Sequence, residues 1–517
     1  MWDRIARNAL SNIAGTVVSL GVGFVTMPLV VNHLGPTAFG LWTLATGLAA
    51  YLGLFDLGLA PTLVKQSAEL LARRDDEARA GLSETASTIY ALYAVAGLLG
   101  FVALAAVAIA ADRVFRIAPD ELATFRTVLL LIGLQTAVGM PMSTWNGLLC
   151  GLEAFPLLNG LGIATSLLRG GLTIGLVQAG YGLVALVVSS GVVSVLGWAA
   201  ARWLVHRRLP GVHIALGRAR RSRLGQIGHF SIAMVVWSVA GAALHQLDRV
   251  LIGIFLPMRA LTTYEVGARL TTYSRNVLHS WLSIVMPAAS GLAARGDRSR
   301  LRGLFLRGTR YLIASYAGVA LLLIGFGRPF IALWMGPGFD ESASVLTLLV
   351  VGSLVQSQTV VAHVMLPAIG RLRTFTRFMA VYPVVTAIAA VAGITSAGLL
   401  GLAAGLSGAI AVMEGVCVVI ALRCFEVTPA RFFGRCHLPV VRSLLPAVAL
   451  TALVRIEVPI TSWGFLVAAV AGVGSLYLVA FWVAGMTRGE RRQIARRVRA
   501  VAGVRPSRPA LSGEAPC

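Results

Sequence analysis

Residues 41–65 read LWTLATGLAAYLGLFDLGLAPTLVK, and between Leu41 and Val64 the only charge is Asp56. As a helix rising 1.5 Å per residue this run is about 36 Å long, enough to cross a hydrocarbon core of roughly 30 Å. A lone carboxylate inside such a run is unfavourable unless a partner or water offsets it. Comparable apolar windows recur near 8–31, 39–61, 86–111, 124–148, 155–179, 182–205, 229–256, 262–293, 309–333, 342–368, 374–396, 399–422, 439–458 and 463–485. With 57% hydrophobic and 13% charged residues and a mean hydropathy of +0.81, the 517 residues do not read as soluble domains. The short alternating strands of a membrane β-barrel are missing. The sequence therefore predicts an all-α polytopic membrane protein with about fourteen transmembrane helices. The window at 262–293 is long and holds Pro287, which predicts a tilt or kink.

The net charge of +23 belongs to this topology and not to nucleic-acid binding. Of 44 basic residues, all but Lys65 are arginine. With the N-terminus placed inside, inner segments hold 32 of them and outer segments six: Arg113, Arg116, Arg126, Arg259, Arg328 and Arg455. That asymmetry predicts a cytoplasmic location for both termini. The basic loops 206–228 and 294–310 are expected near anionic lipid headgroups, at about 1 kcal/mol per arginine. Asp3, Arg4 and Arg7 precede the first span with no small-residue cleavage site, as in a short cytoplasmic helix rather than a cleaved signal. ARRDDEARAGLSE, 72–84, predicts a charged cytoplasmic helix. RGERRQIARRVRAVAGV, after Thr487, predicts a basic amphipathic helix on the membrane surface, followed by a disordered end. The five cysteines have no metal or redox spacing, so free thiols are expected and no cofactor is called for.

A faint internal repeat orders the spans. Gly40 of PTAFG lies 227 residues before Gly267 of TTYEVG, and Pro61 lies 226 before Pro287. GLLCGLEAF and MLPAIGRLRTF correspond at an offset of about 218–220. Six spans per unit is an even number, so the two halves insert in the same orientation, as parallel repeats around a central cavity. The expected organisation is an N-terminal lobe at 1–205, a basic cytoplasmic linker at 206–228 and a C-terminal lobe at 229–422. Helices 13 and 14 follow at 423–486, and the tail at 487–517.

NHLGPTAFGLWTLATGLAAYLGLFDLGLAPTLVK, 32–65, resembles the N-terminal signature of the polysaccharide and O-antigen flippases. Its Leu-Gly near the first outer loop, Phe-Gly-x-Trp entry to the second span and Asp-Leu-Gly-Leu near its end carry the likeness. HQLDRVLIG, 245–253, with an Asp-Arg pair late in span seven, and the following TTYEVGARLTTYSR add to it. The family belongs to the superfamily that includes multidrug exporters and peptidoglycan-precursor flippases. The resemblance implies fourteen helices in two six-helix lobes plus two C-terminal helices. It also implies alternating access of a polyprenyl-diphosphate-linked oligosaccharide to the two faces of a bacterial cytoplasmic membrane. Polysaccharide polymerase and chain-length proteins are the further partners it implies.

The charged residues inside the spans support a cationic interior independently. Arg169 and Arg275 fall near mid-depth of spans five and eight, and Arg249 and Arg269 in the outer halves of spans seven and eight. Each costs about 2.5–3.5 kcal/mol at a helix centre, and arginine does not escape by losing its proton. Four such residues predict a watery cavity, partners, or both, and guanidinium forks match diphosphate oxygens. The competing reading is interhelical ion pairing, with Asp248 paired to Arg269 or Arg275. His245 and Asp248 share a helix face and are candidates for proton coupling or for that ion pair. Gln135, Asn146, Gln356, Gln358 and His363 are candidates for a polar cavity lining, against helix–helix contacts as the alternative. Asp56, in the inner half of its span, is a candidate inner-gate residue, and Glu414 has no assignable partner in sequence.

A multidrug exporter of the same superfamily would want acidic cavity groups, so the charge sign disfavours it. A peptidoglycan-precursor flippase fits the charge, but the FGLW and DLGL pattern fits polysaccharide flippases better. A membrane glycan polymerase or ligase would need catalytic groups on sizeable outer loops. No such loop exceeds about fifteen residues, and no paired carboxylates, metal-ligand cluster or nucleophile motif is present. The chain is read as a transporter and not as an enzyme.

Overall fold

The computed structural model describes residues 2–56, 59–73, 75–220 and 232–493, which form helices joined by short turns with no strand among them. In chain order the main helices are α1 (Trp2–Leu34), α2 (Pro36–Ala50), α3 (Leu59–Arg73), α4 (Asp76–Ile109) and α5 (Pro119–Gly151). Next come α6 (Phe155–Gln178), α7 (Leu183–Arg208), α8 (Ile232–Phe255), α9 (Met258–Ala294) and α10 (Arg298–Met335). The last five are α11 (Asp340–Gln356), α12 (Val360–Ala368), α13 (Leu372–Cys424), α14 (Leu438–Glu457) and α15 (Trp463–Ala480). Ten helical segments are long and apolar enough to cross a membrane, among the described residues. The 53-residue α13 counts once among them but is two helices. It breaks at Ala397 (φ −140°) and Gly398 (φ 59°), at the boundary expected between spans eleven and twelve. Gly393 and Gly401 face each other across this hairpin so closely that a Cβ on either would overlap the other's carbonyl.

Two local expectations are corrected. The second span is not one helix: a 3-10 segment, Tyr51–Asp56, separates α2 from α3. Pro61, in the first turn of α3, lacks an N–H where the helix needs none, so the sequence favours a restart there. Asp56 ends the 3-10 segment, and its side chain lies outside the described residues. The charged run 72–84 is likewise not a separate helix. Asp75 accepts a hydrogen bond from the Ala78 N–H (2.7 Å), caps α4, and the following residues run straight into the third span.

The chain divides into two compact units. The first comprises Met1–Asn276, Ile331–Gln356 and Gly370–Cys417. In it Phe125, Leu129, Leu148 and Ile89 form part of a fully buried core. The Asn159 amide on α6 donates to Ser11 Oγ (2.9 Å) and Asn12 Oδ1 (2.6 Å) on α1. The start of the basic linker is strapped along α4. The N–H groups of His213, Ala215 and Arg220 donate to the hydroxyls of Ser83, Ser87 and Thr88.

The second unit comprises Val277–Phe330, Ser357–Ile369 and Val418–Cys517. There Phe305 stacks on Phe425 (4.7 Å) and Phe432 (5.8 Å). Buried Arg310 pairs with Glu490, which also accepts from the Thr487 N–H and hydroxyl at 2.9 Å each. This reciprocal cap opens the C-terminal basic helix, whose continuation from 494 lies outside the described residues. The four described cysteines are free thiols.

Candidate functional site

The charged residues of α8 and α9 meet because both helices leave one turn. Asp248 and Arg249 lie nine and eight residues before Pro257; Tyr264 and Glu265 lie seven and eight after it. An antiparallel hairpin therefore brings them to one level, about 12 Å from the turn. Arg249 Nη2 approaches Glu265 Oε2 at 3.1 Å and Oε1 at 3.3 Å, and its Nε approaches Oε2 at 3.2 Å. Arg269, one helical turn beyond Glu265, reaches Oε1 at 2.9 Å. Arg249 Nη1 also donates to Gln246 Oε1. Glu265 is only 2% exposed, so one buried carboxylate holds two guanidinium groups. Such convergence supplies the hydrogen bonds and opposite charge that make burial of the acid tolerable.

Asp248 behaves differently from the ion-pair reading. Its Oδ2 accepts the Tyr264 hydroxyl at 2.8 Å and its Oδ1 the Arg249 backbone N–H at 2.8 Å. The partner of Arg249 and Arg269 is Glu265, which the sequence reading passed over. The Glu265-x-x-x-Arg269 spacing, one turn of helix, was the available signal.

The residues of the opening motif hold α2 against this hairpin. Thr262 donates its hydroxyl to the Pro36 carbonyl. A Cβ at Gly40 would overlap the Met258 carbonyl, and one at Gly47 would stand 3.0 Å from Arg249 Cδ. PTAFG thus owes its glycine to close backbone approach.

Arg169 and Arg275 are placed otherwise. Arg169, on α6, donates to Ser194 Oγ on α7 at 3.2 Å, is exposed, and has no ion pair among the described residues. Arg275 is half-buried on α9, also with no ion pair among them, near enough to Tyr382 to act on it electrostatically. Glu414 is not isolated. Fully buried on α13, it accepts the Tyr382 hydroxyl at 3.0 Å and the Gln356 amide at 3.4 Å.

Of the candidate lining, Gln135 has a buried amide nitrogen with no partner among the described residues, set against Gly191. Asn146 is exposed. Gln356 is engaged with Glu414, and Gln358 Oε1 lies 3.2 Å from His437 Nε2. His363 is half-buried on α12, and the His245 side chain lies outside the described residues. The structure brings Asp248, Arg249 and Arg269 together around Tyr264 and Glu265, and leaves Arg169 and Arg275 apart from that cluster.

A family model described as "Polysaccharide biosynthesis protein" matches residues 5–292. A "Putative O-antigen transporter" of Shigella flexneri is 26% identical over 88 residues, covering 17% of this chain and 21% of that one. The aligned part thus spans about a fifth of that relative's length. Among solved structures, the lipid II flippase MurJ in an inward closed conformation aligns with a TM-score of 0.72 at 12% identity. It covers 92% of this chain and 98% of its own. An inward-facing multidrug resistance MATE transporter of the MOP superfamily gives 0.67 at 16% identity, covering 82% and 98%. These likenesses show the fold, an all-helical multi-pass architecture shared with those transporters. The family match covers more than half the chain, which belongs to the polysaccharide biosynthesis protein family.

Proposed function

We propose that this chain is a flippase. It moves a polyprenyl-diphosphate-linked oligosaccharide across the bacterial cytoplasmic membrane by alternating access, for surface or exopolysaccharide assembly. Family membership supplies the class of pathway. The observation that carries the substrate chemistry is unmatched positive charge within the helices. Arg249 and Arg269 have Glu265, whereas Arg169 and Arg275 have no acid among the described residues. A guanidinium stays protonated in any protein environment, so these two call for water and an anionic ligand. A diphosphate provides oxygens for the two-point bonds guanidinium prefers.

In this reading Arg169 and Arg275 contact the diphosphate, and the Glu265 cluster fixes the hairpin that carries Arg275. The two six-helix lobes at 1–205 and 229–422 exchange access, with both termini cytoplasmic. Glycan polymerase and chain-length proteins act on the delivered substrate. Replacing Arg169 and Arg275 singly by Ala, at matched expression in cells, tests it. Each lost charge-assisted contact is worth about 1.5–3 kcal/mol, so surface glycan falls roughly 10-fold or more. Normal glycan export in both variants would remove these arginines from the substrate site.

A further inference from the structure

The connection between α13 and α14 has a composition that a solvent-facing loop does not need. Both helices belong to segments long and apolar enough to cross a membrane, which puts their connection toward a bilayer face. Thr428 caps a single helical turn, Pro429–Phe432, which passes into a π-type turn, Phe433–His437, and then α14. The turn has two sides. Phe432 and Cys436 are fully buried, with Phe432 stacked on Phe305 and Cys436 Sγ directed at the Leu306 carbonyl (3.3 Å). On the other side Phe433 is 54% exposed and Leu438 45%, with exposed Arg431 and Arg435 beside them.

Among the described residues the charge around this turn is uncompensated. Within the same compact unit, Glu426 is taken by Arg298 and Arg302, and Glu490 by Arg310. Arg423, Arg431 and Arg435 make no ion pair among the described residues. An apolar ring and a leucine directed outward between unpaired arginines, at a bilayer face, match the two layers of a membrane interface. Phe and Leu enter the acyl boundary while arginines meet headgroup phosphates. A soluble acidic partner would account for the arginines but would leave Phe433 in water.

We infer that the Pro429–Leu438 elbow is a built anchor for anionic phospholipid. Phe433 and Leu438 sit below the headgroups, and Arg431 and Arg435 hold the lipid phosphates. The site shares no residue with the Arg249–Glu265–Arg269 cluster and does not depend on the substrate proposed above.

The test uses the full chain with its native cysteines replaced by serine and Phe433→Cys carrying a nitroxide. It is reconstituted in vesicles of phosphatidylethanolamine and phosphatidylglycerol. The expected label is more accessible to oxygen than to an aqueous nickel chelate. In native mass spectrometry of the purified protein, Arg431→Gln and Arg435→Gln each lower retained phosphatidylglycerol about fivefold. Their exposure leaves folding untouched, which an unchanged melting temperature verifies. A label that reports bulk water would overturn the proposal. So would equal phosphatidylglycerol retention by wild type and the double variant, including the case in which only soluble polyanions compete for these arginines.

Discussion

Arg249 and Glu265 stand eight residues on either side of Pro257 and meet through a two-point guanidinium–carboxylate contact, the closest approach being 3.1 Å. Arg269 closes on the same carboxylate at 2.9 Å. This assembly couples the two helices of the hairpin and, through Gly47, the helix that carries the opening motif.

Glu265→Ala leaves two guanidinium groups without their acid, and breaking a buried pair from one side costs about 3–5 kcal/mol. The variant is expected to lose most of its thermal stability in detergent, read by fluorescence-detected size exclusion after heating. Asp248→Asn keeps an acceptor for Tyr264 and loses less. A combined Arg249→Met, Glu265→Met variant recovers part of the loss, because no unpaired charge remains between those two positions. Equal melting of wild type and Glu265→Ala would contradict this.

Gly40→Ala places a methyl against the Met258 carbonyl, which is backbone and does not swing aside. Overpacking of this kind costs about 1–3 kcal/mol. Gly160→Ala, on α6 with nothing within 4 Å of the added carbon, is expected to be neutral or to gain up to about 1 kcal/mol from helix propensity. Comparing the melting temperatures of the two single variants checks the contrast.

Glu490 lies outside the spans, at the root of the tail. Burial alone would raise its carboxyl, but the Thr487 N–H and hydroxyl and the Arg310 guanidinium outweigh that and hold it below the usual glutamate range. A depressed folded-state value means that its stabilising contribution is complete above the ordinary glutamate value, about 4.3. It is lost as pH falls through the lower folded value. The melting-temperature difference between wild type and Glu490→Gln is therefore expected to be largest near pH 7 and to shrink below about pH 4. A difference independent of pH would show that the cap and the Arg310 contact do not act through the charge.

The helices were largely legible because a bilayer imposes one length scale and one polarity. Partnering was harder to read. Glu265 is the single acid of TTYEVGARLTTYSR, and only the hairpin geometry shows it facing Arg249 from across the turn. The partners of Glu414, Tyr382 and Gln356, stand 32 and 58 residues away in sequence, too far for any periodicity to connect them. The break in span two was hidden because YLGLF continues the apolar run as far as Asp56, and a 3-10 segment changes hydrogen bonding without changing hydropathy.

Reconstituted transport asks whether Arg169 and Arg275 hold the diphosphate of the moving substrate. Purified wild type, Arg169→Ala, Arg275→Ala and Arg202→Ala are placed in proteoliposomes with a fluorescent polyprenyl-diphosphate oligosaccharide, and its appearance on the opposite leaflet is timed. Arg202 lies over the Trp145 ring at 5.6 Å and serves as a basic control. The Arg169 and Arg275 variants are expected to slow transport roughly 10-fold or more, at about 1.5–3 kcal/mol per lost contact, while Arg202→Ala stays near wild type. Wild-type rates in both the Arg169→Ala and Arg275→Ala vesicles would contradict this.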